Sequence, residues 1–239
     1  MKRILVPTDF SPTAEKAFRF ALDLAERLRG TVILYHTYVP LEGTFVGTEK
    51  TRKLYNTQSE INIVKRLQRL KKKVTGNAGN VPVSTIVGRS PLIDNILGFA
   101  EHNQIDLIVM GTQGAAGLKK TIIGSVSARV IEESDIPVLV VPEKYELEEP
   151  GQFVFVTDYL PADKQALAIV VAMAKLYHAE ITVLHLISAY ETDSDKVEKK
   201  NDFDTYAFSL QREFNESNIK FHLLEIPSIT ETMETLGKK

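Results

Sequence analysis

The sequence predicts an α/β protein, an open parallel five-stranded sheet with helices on both faces, followed by a partial second copy. Three observations carry that prediction. Short apolar runs alternate with stretches of helical periodicity through the first 143 residues. The runs are continuously apolar rather than alternating, as in strands buried on both faces. The whole pattern then restarts 149 positions later, at Phe153.

Ile4-Leu5-Val6 is the first buried strand and ends at Pro7. Thr8-Asp9-Phe10-Ser11-Pro12 makes a turn with capping residues, and Pro12 suits the first turn of a helix. Between Ala14 and Leu28, apolar residues at Ala17, Phe18, Ala21, Leu22, Ala25 and Leu28 mark one buried helical face, which Gly30 ends. Thr31–His36 is the second strand. A long stretch with Gly43 and Gly47 leads into a helix from about Gln58 to Val74. Strand-like Val81–Val87, helical Leu92–Asn103, strand Ile105–Met110, helix Ser125–Glu133 and strand Pro137–Val141 complete the set. Five such strands joined by helices imply right-handed crossovers.

The restart is regular. Phe153-Val154-Phe155-Val156-Thr157-Asp158 stands where Ile4-Leu5-Val6-Pro7-Thr8-Asp9 stood, Ala174 where Ala25 stood, and Leu184-His185 where Tyr35-His36 stood. Residues 1–143 therefore form a first domain, 144–151 a Glu-rich linker ending Pro-Gly, and 152–239 a partial second domain. After strand Lys220–Leu224 and a helix start near Ile229, nothing matches the first half beyond about Gly98.

Composition narrows the function. At 239 residues, 44% hydrophobic and 25% charged, the chain suits a globular fold with a real core. A net charge of −2 gives no broad grip on nucleic acid or an anionic membrane. The absence of cysteine removes disulfides, thiol nucleophiles and thiolate metal sites. The chain enters a strand at once with no signal-like segment, and no apolar run approaches about 18 residues, so a cytoplasmic location is expected.

Chemistry concentrates in the stretch from Gly111 to Ser125, whose skeleton is Gly-x2-Gly-x9-Gly-Ser on Gly111, Gly114, Gly124 and Ser125. It begins at the carboxyl end of one strand and finishes at the amino end of a helix, where open α/β sheets bind ligands. Gly111 and Gly114 would allow close backbone approach. Gly124-Ser125 would present helix amides and a hydroxyl to phosphate. No Gly-x-Gly-x-x-Gly follows the first strand, and no Gly-Lys-Thr or Gly-Lys-Ser closes the loop, so neither a dinucleotide dehydrogenase nor a P-loop enzyme fits.

Val6-Pro7-Thr8-Asp9-Phe10-Ser11, Leu34-Tyr35-His36, Val87-Gly88, Ile108-Val109-Met110-Gly111-Thr112, the glycine loop, Gly124-Ser125-Val126-Ser127 and Pro137-Val138-Leu139-Val140-Val141-Pro142 together resemble a universal stress protein domain. The resemblance implies a sheet ordered 3-2-1-4-5 with ATP, and any accompanying Mg2+, across the ends of the first and fourth strands. It implies that Asp9 meets the adenosine and that Thr37, in place of the usual apolar residue, meets adenine through its backbone. It further implies that Gly111 and Gly114 line the ribose and α-phosphate. Gly124 and Ser125, continued by Val126 and Ser127, would hold phosphates, with Pro7, Thr8, Gly88 and Met110 as walls. Finally, it implies a homodimer through strand 137–141, an apolar edge that otherwise invites aggregation.

Other readings stand beside these. Asp9 and Asp158 each follow a strand, where Asp also caps helices; Asp158 has no glycine loop opposite it and is assigned capping alone. His36 and His185 lack ligand-spaced partners and read as packed histidines. Lys119 and Lys120 lie in the loop and could approach a triphosphate or simply be solvated. Lys71-Lys72-Lys73 suits a helix C-terminus rather than a nucleic-acid patch. Ser11 and Ser127 have no Ser-His-Asp context. The leading expectation is a regulatory ATP-binding stress protein; a slow ATPase or nucleotide-dependent transferase, and a nucleotide-free dimerisation module, are the alternatives.

Overall fold

The structure, a computed structural model, describes residues 2–43, 47–76, 81–112, 123–146, 148–160, 162–214 and 219–227. Two compact units divide the chain, Met1–Glu148 and Glu149–Lys239. The first extends past residue 143 because Tyr145 packs edge-on against Phe20 at 5.8 Å and the Glu143 carbonyl accepts a bond from Lys16 Nζ.

In the first unit the order is β1 (Arg3–Pro7), α1 (Pro12–Leu28), β2 (Thr31–Tyr38), α2 (Glu49–Thr75), β3 (Val83–Arg89), α3 (Leu92–His102), β4 (Leu107–Gly111), α4 (Ser125–Glu133) and β5 (Val138–Val141). All strand pairs are parallel and the sheet runs β3-β2-β1-β4-β5. Ile4, Leu5 and Val6 of central β1 are fully buried, each contributing on the order of 1.5–3 kcal/mol. One apolar layer joins Leu5, Ile33, Tyr35, Ile108 and Met110 to Ile93, Ile96 and Ala100 of α3 and Val130 of α4. Helices α1 and α2 pack together, as do α3 and α4, so each pair covers one face.

Helix α2 starts nine residues before the expected Gln58. Its apolar stripe, Ile63, Leu67, Leu70 and Val74, occupies its second half, while Leu54 and Tyr55 are exposed. Polar contacts fix the first half instead. Thr48 Oγ1 caps it by accepting from Thr51 N, and Asn56 binds both backbone groups of Leu41, at 2.8 and 3.2 Å. Hydrophobic periodicity carries no trace of such anchoring.

The second unit comprises β6 (Gln152–Val156), α5 (Asp163–Tyr177), β7 (Glu180–Ser188), α6 (Asp193–Phe214) and β8 (Ile219–Ile226), with parallel order β6-β7-β8. Its backbone contacts repeat those of the first. Thr8 N–H donates to Tyr35 O at 2.8 Å and Thr157 N–H to Leu184 O at 2.9 Å. Gly30 N–H donates to Ala25 O at 2.7 Å and Ala179 N–H to Ala174 O at 2.9 Å. The register repeats too, Arg3 facing Thr31 and Gln152 facing Glu180. The helix expected near Ile229 lies outside the described residues. Among the described residues, no helix is long and apolar enough to cross a membrane.

Glu15 ties α1 to α2, accepting from Arg19 Nη2 at 2.8 Å and Lys73 Nζ at 2.6 Å. Burial alone would push its carboxyl up, but the two cations outweigh that and hold it below the usual carboxylate range. A depressed folded-state pKa adds stability above the unfolded value that is lost as pH falls through the folded one. Glu15→Gln should therefore cost under about 1 kcal/mol near neutral pH. Urea midpoints should show the gap between parent and variant closing as the pH is taken below the ordinary glutamate range.

Candidate functional site

The parallel registers bring the candidate residues to one sheet edge. Pro7 closes β1 opposite Tyr35, and Thr37 of β2 faces Gly88 of β3. Gly111 closes β4 opposite Val141. Because β1 lies between β2 and β4, and α1 and α3 leave on opposite faces, this edge holds the topological switch point where α/β sheets take ligands.

Thr8 is buried and spends its polar atoms on the fold. Besides its bond to Tyr35, its carbonyl accepts His36 Nδ1–H at 2.6 Å and its hydroxyl accepts Phe10 N–H at 3.0 Å. A carbonyl only accepts, so Nδ1 carries the His36 proton. Burial holds the imidazole below its usual pKa, reinforced by Arg66, while the Thr8 bond and Asp9 pull the other way. The ring is thus neutral near pH 7, a packed histidine. Phe10, at φ 66°, lies against it with ring centroids 4.6 Å apart and planes tilted by 47°, and the Arg66 guanidinium sits 3.9 Å over the Phe10 ring. Neither Phe10 nor Arg66 stood out in the sequence; their meeting joins a turn to a helix more than fifty residues away.

Asp9 is exposed at the edge, and its Oδ1 accepts Ser11 N–H at 2.9 Å. Ser11, not Asp9, caps α1, through Ala14 N–H at 3.2 Å. The assignment of Asp158 to capping fails as well. Its side chain is 81% exposed, and Asp163 takes the polar role, accepting from Thr157 Oγ1 at 2.6 Å and from Leu160 N–H at 3.2 Å.

The two described strand-end glycines are required by packing. A Cβ on Gly111 would sit 2.7 Å from Thr13 Cγ2 and 2.9 Å from the Thr13 carbonyl carbon, so the missing side chain lets α1 approach β4. A Cβ on Gly88 would strike the Tyr35 ring, whose hydroxyl donates to Asn95 O at 3.3 Å. Met110 is 5% exposed and belongs to the apolar layer beneath the edge. One residue beyond Thr37 and Gly88, Glu60 of α2 clasps the strand ends, accepting from the Tyr38 hydroxyl and from Arg89 Nη2 at 3.2 Å.

Two bonds draw the ends of the glycine loop together. Gly124 N–H donates to Thr112 O, and Ser127 Oγ–H donates to Gly111 O at 2.8 Å. The Gly124 amide and the Ser127 hydroxyl are therefore spent on the fold. What remains is the first turn of α4. Gly124 is its N-cap and supplies no side-chain bond, and the first amide returned into the chain is Ala128 N–H to Gly124 O at 2.9 Å. Among the described residues, the Ser125, Val126 and Ser127 amides and the Ser125 hydroxyl have no protein partner, and the helix dipole adds positive potential there. Gly114, Lys119 and Lys120 lie outside the described residues.

The first unit is a doubly wound α/β fold that presents a helix N-terminus at its switch point, the place where such folds favour anionic ligands. The description Usp, Universal stress protein family, matches residues 1–142, and the chain belongs to that family. Universal stress protein MJ0531 of Methanocaldococcus jannaschii is 35% identical over 141 residues, 59% of this chain and 81% of that protein. Universal stress protein MJ0577 of the same organism is 30% identical over 158 residues, 60% of this chain and 96% of it. The solved structure of MJ0577 superposes with a TM-score of 0.52 at 31% identity, covering 61% of this chain and 98% of that one. A universal stress protein from Archaeoglobus fulgidus shares the fold over 98% of this chain and 84% of its own, with a TM-score of 0.69 at 15% identity.

Replacing Gly111 by Ala should destabilise the protein by about 1–3 kcal/mol through overpacking against Thr13. Denaturant midpoints measured without ligand would show it.

Proposed function

We propose that this universal stress protein binds ATP at the β1/β4 edge of its first unit, and that occupancy governs which partner it meets. The observation that carries this is the row of unpartnered amides at Ser125, Val126 and Ser127, beside the tips of β1 and β4. Their donors and the α4 dipole favour the phosphates. Adenosine would lie toward Asp9 and the Thr37 backbone, with Pro7, Thr8 and Gly88 as walls and Gly111 near the ribose and α-phosphate. Gly114 would complete the loop, and Mg2+ would arrive with the triphosphate. The family resemblance and the Gly-x2-Gly-x9-Gly-Ser spacing supply the nucleotide; the geometry supplies the anion subsite. The second unit would be a domain of the same kind, and in it Leu224 stands against Leu186 where Gly88 stands against Thr37.

ATP at about 100 times its Kd should raise unfolding stability by about 2.7 kcal/mol. Ser125→Pro is the sharper test. Position N1 accepts proline, and Gly124 already has the extended ψ of 153° that a following proline wants. The variant loses one amide and one hydroxyl without losing the helix, so ATP affinity should fall about tenfold or more while unliganded stability stays within about 0.5 kcal/mol. Equal affinity in parent and variant, by calorimetry, sinks the anion subsite.

Two copies are proposed to pair through β5, whose Val138, Leu139 and Val140 are half-buried at the end of the sheet. Leu139→Lys should then abolish that association in sedimentation equilibrium.

A further inference from the structure

The two units bury equivalent helical positions. Phe18, Leu22, Leu24 and Ala25 of α1 return 149 positions later as Leu167, Val171, Met173 and Ala174 of α5. Ile63, Leu67 and Leu70 of α2 return 140 positions later as Phe203, Ala207 and Leu210 of α6. Apolar contact is non-directional, so these stripes do little to tell α2 from α6. Two units with equivalent helices in one chain invite exchange of those helices, within a chain or between copies.

The ion pairs do tell them apart. Glu15 of α1 holds Lys73 of α2 at 2.6 Å, whereas Lys164 of α5 holds Glu213 of α6 at 2.9 Å. By the same offsets of 149 and 140, Lys164 is the counterpart of Glu15 and Glu213 that of Lys73. The contact recurs at the same place with its charges reversed. A second pair behaves alike. Glu60 of α2 meets Arg89 at the end of β3 at 3.2 Å, and Lys196 of α6 meets Glu225 of β8 at 2.8 Å. The registers match, Arg89 facing Tyr38 and Glu225 facing Ile187, 149 positions on. The counterpart of Glu60 is Lys200, one turn beyond Lys196. Helix α2 thus offers a cation to its first helix and an anion to its third strand; α6 offers the opposite.

We propose that this reversal assigns each second helix to its own unit and keeps α2 and α6 from changing places. With α6 set on the first unit, Glu213 meets Glu15 and Lys196 nears Arg89. With α2 set on the second, Lys73 meets Lys164 and Glu60 nears Glu225. All four attractions become repulsions. Exposed pairs contribute little singly, and like charges cost about as much as opposite charges gain. Four contacts that change sign together favour the native assignment by about tenfold or more. The device needs neither nucleotide nor pairing through β5, so it stands apart from both of those readings.

Swapping polarities tests this without altering net charge. One variant reverses the second unit alone, with Lys164→Glu, Glu213→Lys, Lys196→Glu and Glu225→Lys. Its own pairs stay opposite in sign, but α6 then carries the polarity of α2. Another variant adds Glu15→Lys, Lys73→Glu, Glu60→Lys and Arg89→Glu, so that the units differ again. Each chain is unfolded in urea, diluted into buffer, and read by size exclusion and by its urea unfolding curve. The four-residue variant should leave at least about threefold more chain outside the parent's elution volume and midpoint than the parent does. The eight-residue variant should return to the parent's fraction. The proposal is overturned if the four-residue variant refolds as completely as the parent. It is equally overturned if the eight-residue variant recovers no better than the four-residue one, because the substitutions then harm folding by themselves.

Discussion

The glycine-loop neck holds the site together. Gly124 N–H on the Thr112 carbonyl and Ser127 Oγ–H on the Gly111 carbonyl pin the first turn of α4 to the tip of β4. These bonds give the amides of the first turn a fixed position beside β4. With them, the dipole of α4 is aimed at the same edge as the β1 tip. Each bond consumes a polar group at the start of α4, so the proposed anion contacts rest on the backbone amides of Ser125, Val126 and Ser127.

The two units separate scaffold from site. The threonine–histidine lock recurs intact: His36 Nδ1 donates to Thr8 O at 2.6 Å, and His185 Nδ1 to Thr157 O at 2.7 Å. The aromatic packed at a tilt against each histidine recurs as well, Phe10 at 4.6 Å and Tyr159 at 4.3 Å, both at positive φ. In both units the lock joins the end of the first strand to the end of the second, so it serves strand pairing. The Thr-Asp that follows the first strand in both units therefore marks the fold more securely than it marks a ligand.

Much of this was legible in the sequence because buried parallel strands announce themselves as uninterrupted apolar runs. Strand order and repeat followed from pattern and resemblance. The early start of α2 was hidden because Thr48 and Asn56 anchor it by hydrogen bonds that leave no periodicity. The glycines were legible as special, but the reason was not: Gly88 answers to the Tyr35 ring and Gly111 to Thr13, partners set by tertiary packing. Ser11, not Asp9, caps α1, and α5 has no side-chain cap at all, Asp163 instead binding the turn before it, because only backbone geometry decides which nearby oxygen reaches which amide. At the α4 turn, sequence showed a phosphate-type junction but could not show which amides the fold had already used.

The Thr13–Gly111 contact has a mechanical meaning. Close-packed atoms transmit displacement instead of absorbing it, so the tip of β4 cannot shift without pushing the first turn of α1. Two residues on, Glu15 grips Lys73 near the far end of α2. The absent side chain at Gly111 thus sets how closely the first turn of α1 seats on the tip of β4, and Glu15 carries that helix onward to α2.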